Sequence, residues 1–412
     1  MTASIAPARQ ARSTAERLAG HLGPVDVVRA LTVAGVISVH VVAFTTDPAS
    51  PMSGAVLALL HVNREVFLLL SAFVLTYAYH GRPRWKLTSF WRRRYWLIVV
   101  PYVTWSAIYC VTDGGPLTPV SSLAHRFVVD LLTGTAYYHL YFLLLSMQLY
   151  AMFPLLLRLV RSTRRRHHLE LLVGSFAAQV ALTTVFHYGL APTGLLGWWG
   201  RHADALLISY QFYVVAGAVA AAHLEGLGRW AACHRRQLLA LVGGGALVGL
   251  GSYAMDLGLG GMSPARAAEV FQPAIVLEAT VVGLGLYGLG QWVCERRSRR
   301  VDQVLRTTAD ASFGVYLAHP LVLQGALAFA SVTGLLAITT RLGTAVTLIV
   351  DLGVVLPLLY ALTTAGVAVA RKTTASLPLT GRQVASPPPV WAYPSPRRHL
   401  RLPHRASPPV AA

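Results

Sequence analysis

The chain has 412 residues, 55% of them hydrophobic and only 12% charged, with a mean hydropathy of +0.53. A soluble domain carries about 25% charged residues, so the composition excludes one and indicates a membrane protein. The formal charge of +19, from 35 Lys and Arg against 16 Asp and Glu, would suit nucleic acid; here, however, the bases form short clusters between apolar stretches, which is a topology signal, and no nucleic-acid partner is expected.

Residues 1–23 contain Arg9, Arg12 and Arg17 but no apolar core, so they read as a cytoplasmic tail and not as a cleaved signal. Apolar runs long enough to cross a bilayer, about 20 residues each, begin near residues 24, 54, 91, 138, 169, 204, 237, 270, 310 and 342. The expectation is an all-α polytopic protein of about ten transmembrane helices in the cell's inner (plasma) membrane, with both termini cytoplasmic.

The first helix, "VDVVRALTVAGVISVHVVAF" (25–44), carries Arg29 and His40. Ionisable residues inside a span are costly and usually mark a partner or a substrate path. Eleven positions at 100° each are three turns plus about 20°, so both side chains leave one face, about 16 Å apart along the axis. A ligand contacting both is long and runs along the membrane normal. An acyl-CoA entering from the cytoplasm fits that description, its thioester delivered toward His40. The second helix holds Arg64 and Glu65 near mid-depth, either as an ion pair or lining a polar cavity, and Ser71, whose hydroxyl reads as bonded back to its own helix. Arg92, Arg93 and Arg94 open the third helix, and "SSLAHRFVVDLLTG" (121–134) is too short and polar to span, reading as an amphipathic surface helix.

His139 starts the fourth helix beside Tyr137 and Tyr138, at about the depth of His40. Asp204, Glu278 and Asp351 are isolated helix acids without an assigned role. Glycine-rich runs at 242–251 and 282–290 fall within helices and suit close packing; no strand precedes them, as a nucleotide loop would need. In the ninth helix His319 precedes Pro320, whose missing N–H frees a backbone carbonyl, and a structural role for His319 is expected. Residues 371–412, rich in proline and arginine, read as a disordered basic cytoplasmic tail that can touch anionic headgroups. Cys110, Cys233 and Cys294 lack disulfide or metal spacing, and no metal is expected.

Placing the N-terminus inside puts 29 of the 35 Lys and Arg in inner segments and 4 in outer loops, with Arg29 and Arg64 inside helices. That asymmetry supports the topology.

Five segments in order resemble the acyltransferase-3 family. They are "DVVRA" through His40, "REVFLLLSAFVLTY" (64–77), "FWRRRYWLIVVPY" (90–102), "YYHLYFLLLSMQLYAMFPLL" (137–156) and "SFGVYLAHPLVL" (312–323). Departures from the family pattern are Val66 and Ala72 in the second segment, Ile98 where an arginine is common, and Tyr141 in place of tryptophan. The resemblance implies a ten-helix acyltransferase-3-like membrane domain over residues 24–370. It also implies an acyl-CoA-dependent O-acyltransferase, with acetyl as the default acyl group and no bound cofactor. The acceptor would be a hydroxyl of a cell-envelope glycan or of a secondary metabolite such as a macrolide. Within it His40 reads as general base, Arg29 as a ligand of CoA phosphate or pantetheine, and His139 as orienting the acceptor or stabilising the oxyanion. Arg92, Arg93 and Arg94 read either as positive-inside anchors or as contacts for the CoA phosphates. The alternative is a transporter or flippase for a lipid-linked sugar or metabolite, which would show related halves with broken helices; no half-repeat and no second Arg-x10-His helix is present.

Overall fold

The structure is a computed structural model that describes residues 23–112, 120–190, 193–296 and 298–384. Nearly all of the expected N-terminal tail, and everything beyond residue 384, lies outside the described residues. Among the described residues every regular element is helical. Helix α1 is Gly23–Thr45, and α2 (Pro51–Leu60) continues through His61 into α3 (Val62–His80). There follow α4 (Leu87–Thr112), α5 (Val120–Thr133), α6 (Tyr141–Ser162) and α7 (His168–His187). Next come α8 (Gln211–Ala222), α9 (Leu224–Cys233), α10 (Arg235–Gly258) and α11 (Pro273–Arg296). The chain ends with α12 (Arg299–Val332), α13 (Thr344–Val350), α14 (Leu356–Ala370) and the short α15 (Ser376–Thr380).

Nine stretches among the described residues are long and apolar enough to cross a membrane. Helix α1, with 23 residues, is about 34 Å long at 1.5 Å per residue, against a hydrocarbon core of about 30 Å. The expected span from residue 204 is broken: Leu207–Ala222, which contains α8, and α9 pass the same test together but meet at a bend of 89°. Composition explains the bend. Leu224, Leu227 and Ala231 share one face of α9 while Glu225 and Arg229 share another, the pattern of a helix lying at an interface. The surface helix expected over 121–134 is α5, tied to α4 by the Tyr102 hydroxyl, which donates to the Leu131 carbonyl at 2.6 Å.

Helices α1 and α3 lie at the centre of the described bundle. Helix α3 packs on α8, α1, α6 and α11, and its contact with α8 is the most extensive. A side chain at Gly217 of α8 would stand 2.1 Å from the Leu69 carbonyl oxygen, so only glycine permits this approach. One face of α1 buries Val33, Ile37 and Val41 against Val315 and Leu323 of α12 and Leu359 of α14. That leaves its other face for the site. At one end of α7 and α10, buried Asp256 accepts from Tyr188 at 3.1 Å and Gln272 at 3.1 Å and pairs with His187 at 3.0 Å. Such a fully partnered buried acid fixes helix positions.

The disorder expected from residue 371 does not hold for residues 371–384. Trp105 of α4 donates to the Leu379 carbonyl at 3.1 Å, and Arg382 pairs with Asp310 of α12 at 2.9 Å. Arg371 donates to the Asp310 backbone carbonyl. Basic residues that composition assigns to a solvated tail are here holding the end of α15 against the bundle.

Candidate active site

His40 lies in the last two turns of α1, half-buried. A Cβ at Gly35, upstream on the same helix, would fall 2.2 Å from the Asn63 side chain. Glycine at that position lets the start of α3 close against α1. His139 belongs to the segment just before α6, and the Tyr316 hydroxyl of α12 donates to its carbonyl. His319, also on α12, is fully buried, and His139 is 2% exposed.

These three imidazoles form one cluster. The ring centroids of His40 and His319 are 5.3 Å apart with planes 23° from parallel, and those of His139 and His319 are 5.5 Å apart. Tyr138 packs on His40 at 4.5 Å. Neither ring nitrogen of His139 has a hydrogen-bond partner among the described residues, nor does Nε2 of His319. Burial, with His319 and His40 beside it, holds the His139 imidazole well below the usual histidine range. It is therefore neutral, with one N–H and one lone pair to offer.

A cavity of about 230 Å³ opens beside the cluster, and His40, His139, His61, Arg64 and Asp204 line it. Arg64 bonds Glu65 Oε1 through Nε at 3.1 Å and through a terminal nitrogen at 3.0 Å, and its other terminal nitrogen reaches Asp204 at 2.5 Å. The guanidinium lies over the neighbouring rings of Tyr210 and Phe271, 4.7 and 5.0 Å from their centroids. A planar, always-charged group suits this position because it can bridge two acids while stacking on aromatics. The cavity is thus small, and imidazoles and an ion network line it together.

Arg29 is half-buried at the opposite end of α1. A second cavity, about 600 Å³ and mostly apolar, is lined near that end by Val25 and Val28 with Leu70 and Phe73 of α3, and by Arg165 and His223, while Arg29 itself lines neither cavity. Val36 and Val39 line the first cavity. Each stands eleven positions from its counterpart, Val25 or Val28, the same interval as Arg29 to His40. One face of α1 therefore lines both cavities, displaced by about 16 Å along the axis.

The structure brings His40 and His139 together and adds His319, His61 and Asp204, which sequence reasoning had not placed in the site. His319 was visible in the Tyr-Leu-Ala-His-Pro segment, though read as structural. Asp204 was visible as an isolated acid without an assigned role and lies in a 3-10 turn before α8. Arg92, Arg93 and Arg94 line neither cavity; Arg92 and Arg93 are exposed, and Arg94 lies over the Tyr150 ring at 5.7 Å. Ser71 lines neither cavity. Among the unassigned acids, Asp351 accepts from Thr45 at 2.5 Å and so ties down the end of α1, while Glu278 sits in α11 facing Gly249 of α10.

The family model described as "Acyltransferase domain", that of the acyltransferase-3 family, matches residues 24–367. No curated protein and no solved structure matches the chain.

Proposed function

The chain belongs to the acyltransferase-3 family, and from that premise we propose that this membrane acyltransferase uses acyl-CoA, acetyl-CoA by default, as its donor. Its acceptor is a hydroxyl of a cell-envelope glycan or of a secondary metabolite such as a macrolide. The observation that carries this reading is the small cavity that His40 and His139 both line, beside a charge network held by its own partners.

His40 is the general base. As the acceptor oxygen attacks the thioester carbonyl carbon, its proton passes to His40. A C–O bond forms, the C–S bond breaks, and the CoA thiolate leaves with the proton that His40 returns. His139, neutral and lining the same cavity, donates to the carbonyl oxygen as negative charge develops there, the role of an oxyanion-hole donor. Arg64 and Asp204 offer a polar wall for the acceptor. The donor arrives from the Arg29 end, the cytoplasmic end on the positive-inside reading of the arginines. Arg29 holds phosphate or pantetheine oxygens there, and the exposed Arg92 and Arg93, with Arg94, supply charge for the nucleotide phosphates.

Membranes carrying the protein, given radiolabelled acetyl-CoA and candidate acceptors, test this. Label transfer is expected, with His40→Ala lowering it about 10²–10⁴-fold, the typical contribution of a positioned base. Full transfer by the variant would remove His40 as base. No transfer to any acceptor would remove the reaction itself.

A further inference from the structure

The environment of His319 carries more than a structural role. In a continuous helix the Tyr316 carbonyl accepts from the N–H of residue 320, but residue 320 is proline and has none. The His319 ring fills the gap. Its Nδ1 lies 2.8 Å from the Tyr316 carbonyl and 3.2 Å from the Val315 carbonyl. Carbonyls only accept, so Nδ1 is the protonated nitrogen, and in the neutral ring Nε2 is left as a lone pair. That nitrogen is buried without a partner. The rings facing it are His40 from α1, His139 from the segment before α6, and Tyr316 from its own helix; no acid or arginine ring-stacks or hydrogen-bonds with it among the described residues. Nor does any carboxylate among the described residues hydrogen-bond to His40, although a base usually has a third group to orient it.

We propose that Pro320 locks His319 as a fixed hydrogen-bond acceptor that orients His40, with His139 beside it, so that His40 presents its free nitrogen to the cavity. His319 is a positioning residue and touches no substrate. The proton balance is simple: His319 accepts a hydrogen bond from the N–H of His40 without taking the proton, and the acceptor's proton is carried by the other nitrogen of His40. The bond is open in the structure, as catalytic hydrogen bonds often are before substrate binds. This inference rests on the reading of His40 as base.

Two amides separate it from a purely structural role. The Gln amide reaches the position of Nε2, and the Asn amide that of Nδ1. His319→Gln keeps an acceptor toward His40, whereas His319→Asn keeps only the donor toward Tyr316. The expected result is near-normal transfer for His319→Gln. His319→Asn should lose about 10- to 100-fold, the range known for groups that orient reactive imidazoles at metal sites. The reverse order would overturn the proposal and leave His319 as a carbonyl cap.

A second readout needs no turnover. In full-length protein labelled with 15N-histidine and held in lipid nanodiscs, His319 is expected to show the Nδ1–H tautomer. The His40 signal should move on His319→Asn but not on His319→Gln. Pro320→Ala, which restores the competing N–H, should make the His319 tautomer mixed. An Nε2–H tautomer in the wild type, or a His40 signal indifferent to both variants, would refute the proposal even if the wild type transfers acyl groups normally. Absence of wild-type transfer would instead count against the acyl-CoA reaction.

Discussion

Arg64 shows most clearly how one residue serves both stability and site. Its side chain is 9% exposed, and its charge is held by Glu65, itself 2% exposed, and by Asp204, which is 60% exposed. The Asp204 contact is screened and contributes little; the Glu65 contact is buried. Removing one partner of a buried pair typically costs about 3–5 kcal/mol because the other charge is stranded. Arg64→Leu should therefore lower the thermal midpoint in detergent sharply, and Arg64→Lys by less, since an ammonium keeps the charge but cannot bridge two acids while lying flat on an aromatic pair. Equal midpoints for Leu and wild type would show that the network is dispensable. At this scale the sequence was legible where a polar residue interrupts an apolar run and lines the smaller cavity, as with His40 and Arg64. It was opaque where the partner is distant: nothing local to Asp204 announces an arginine 140 positions away, and nothing local to His319 announces His40.

Among elements, the packing of α3 on α8 depends on Gly217. A methyl group there meets a backbone carbonyl oxygen at 2.1 Å, not a side chain that can turn aside. Gly217→Ala is expected to destabilise by about 1–3 kcal/mol, the usual cost of overpacking, while Gly174 of α7, with open space around it, should accept alanine without loss. Chemical or thermal unfolding of the two variants side by side checks this; equal loss at both sites would contradict it. Long apolar helices such as α1 and α11 were readable because hydropathy alone specifies them. The bend between α8 and α9 was not, because an averaging window runs across His223 and merges a short buried helix with an interfacial one. Residues 371–384 were misjudged for a related reason. Proline and arginine content signals solvation unless specific acceptors, here Asp310 and the Leu379 carbonyl, give the segment somewhere to dock.

Taken as a molecule, the described helices place one face of α1 against two cavities, apolar and larger near Arg29, polar and smaller at His40. Between the two cavities the same face of α1 is closed, with Thr32 fully buried and Gly35 packed against Asn63, so a long donor that engages both ends must open this contact. The measurement that tests this most directly is a cryo-electron microscopy structure of the full chain in lipid nanodiscs with a non-hydrolysable thioether analogue of acetyl-CoA. The account predicts the analogue's acyl carbonyl within the His40 cavity and its pantetheine arm along α1 toward Arg29. An analogue whose acyl end lies elsewhere, with His40 untouched, would contradict it.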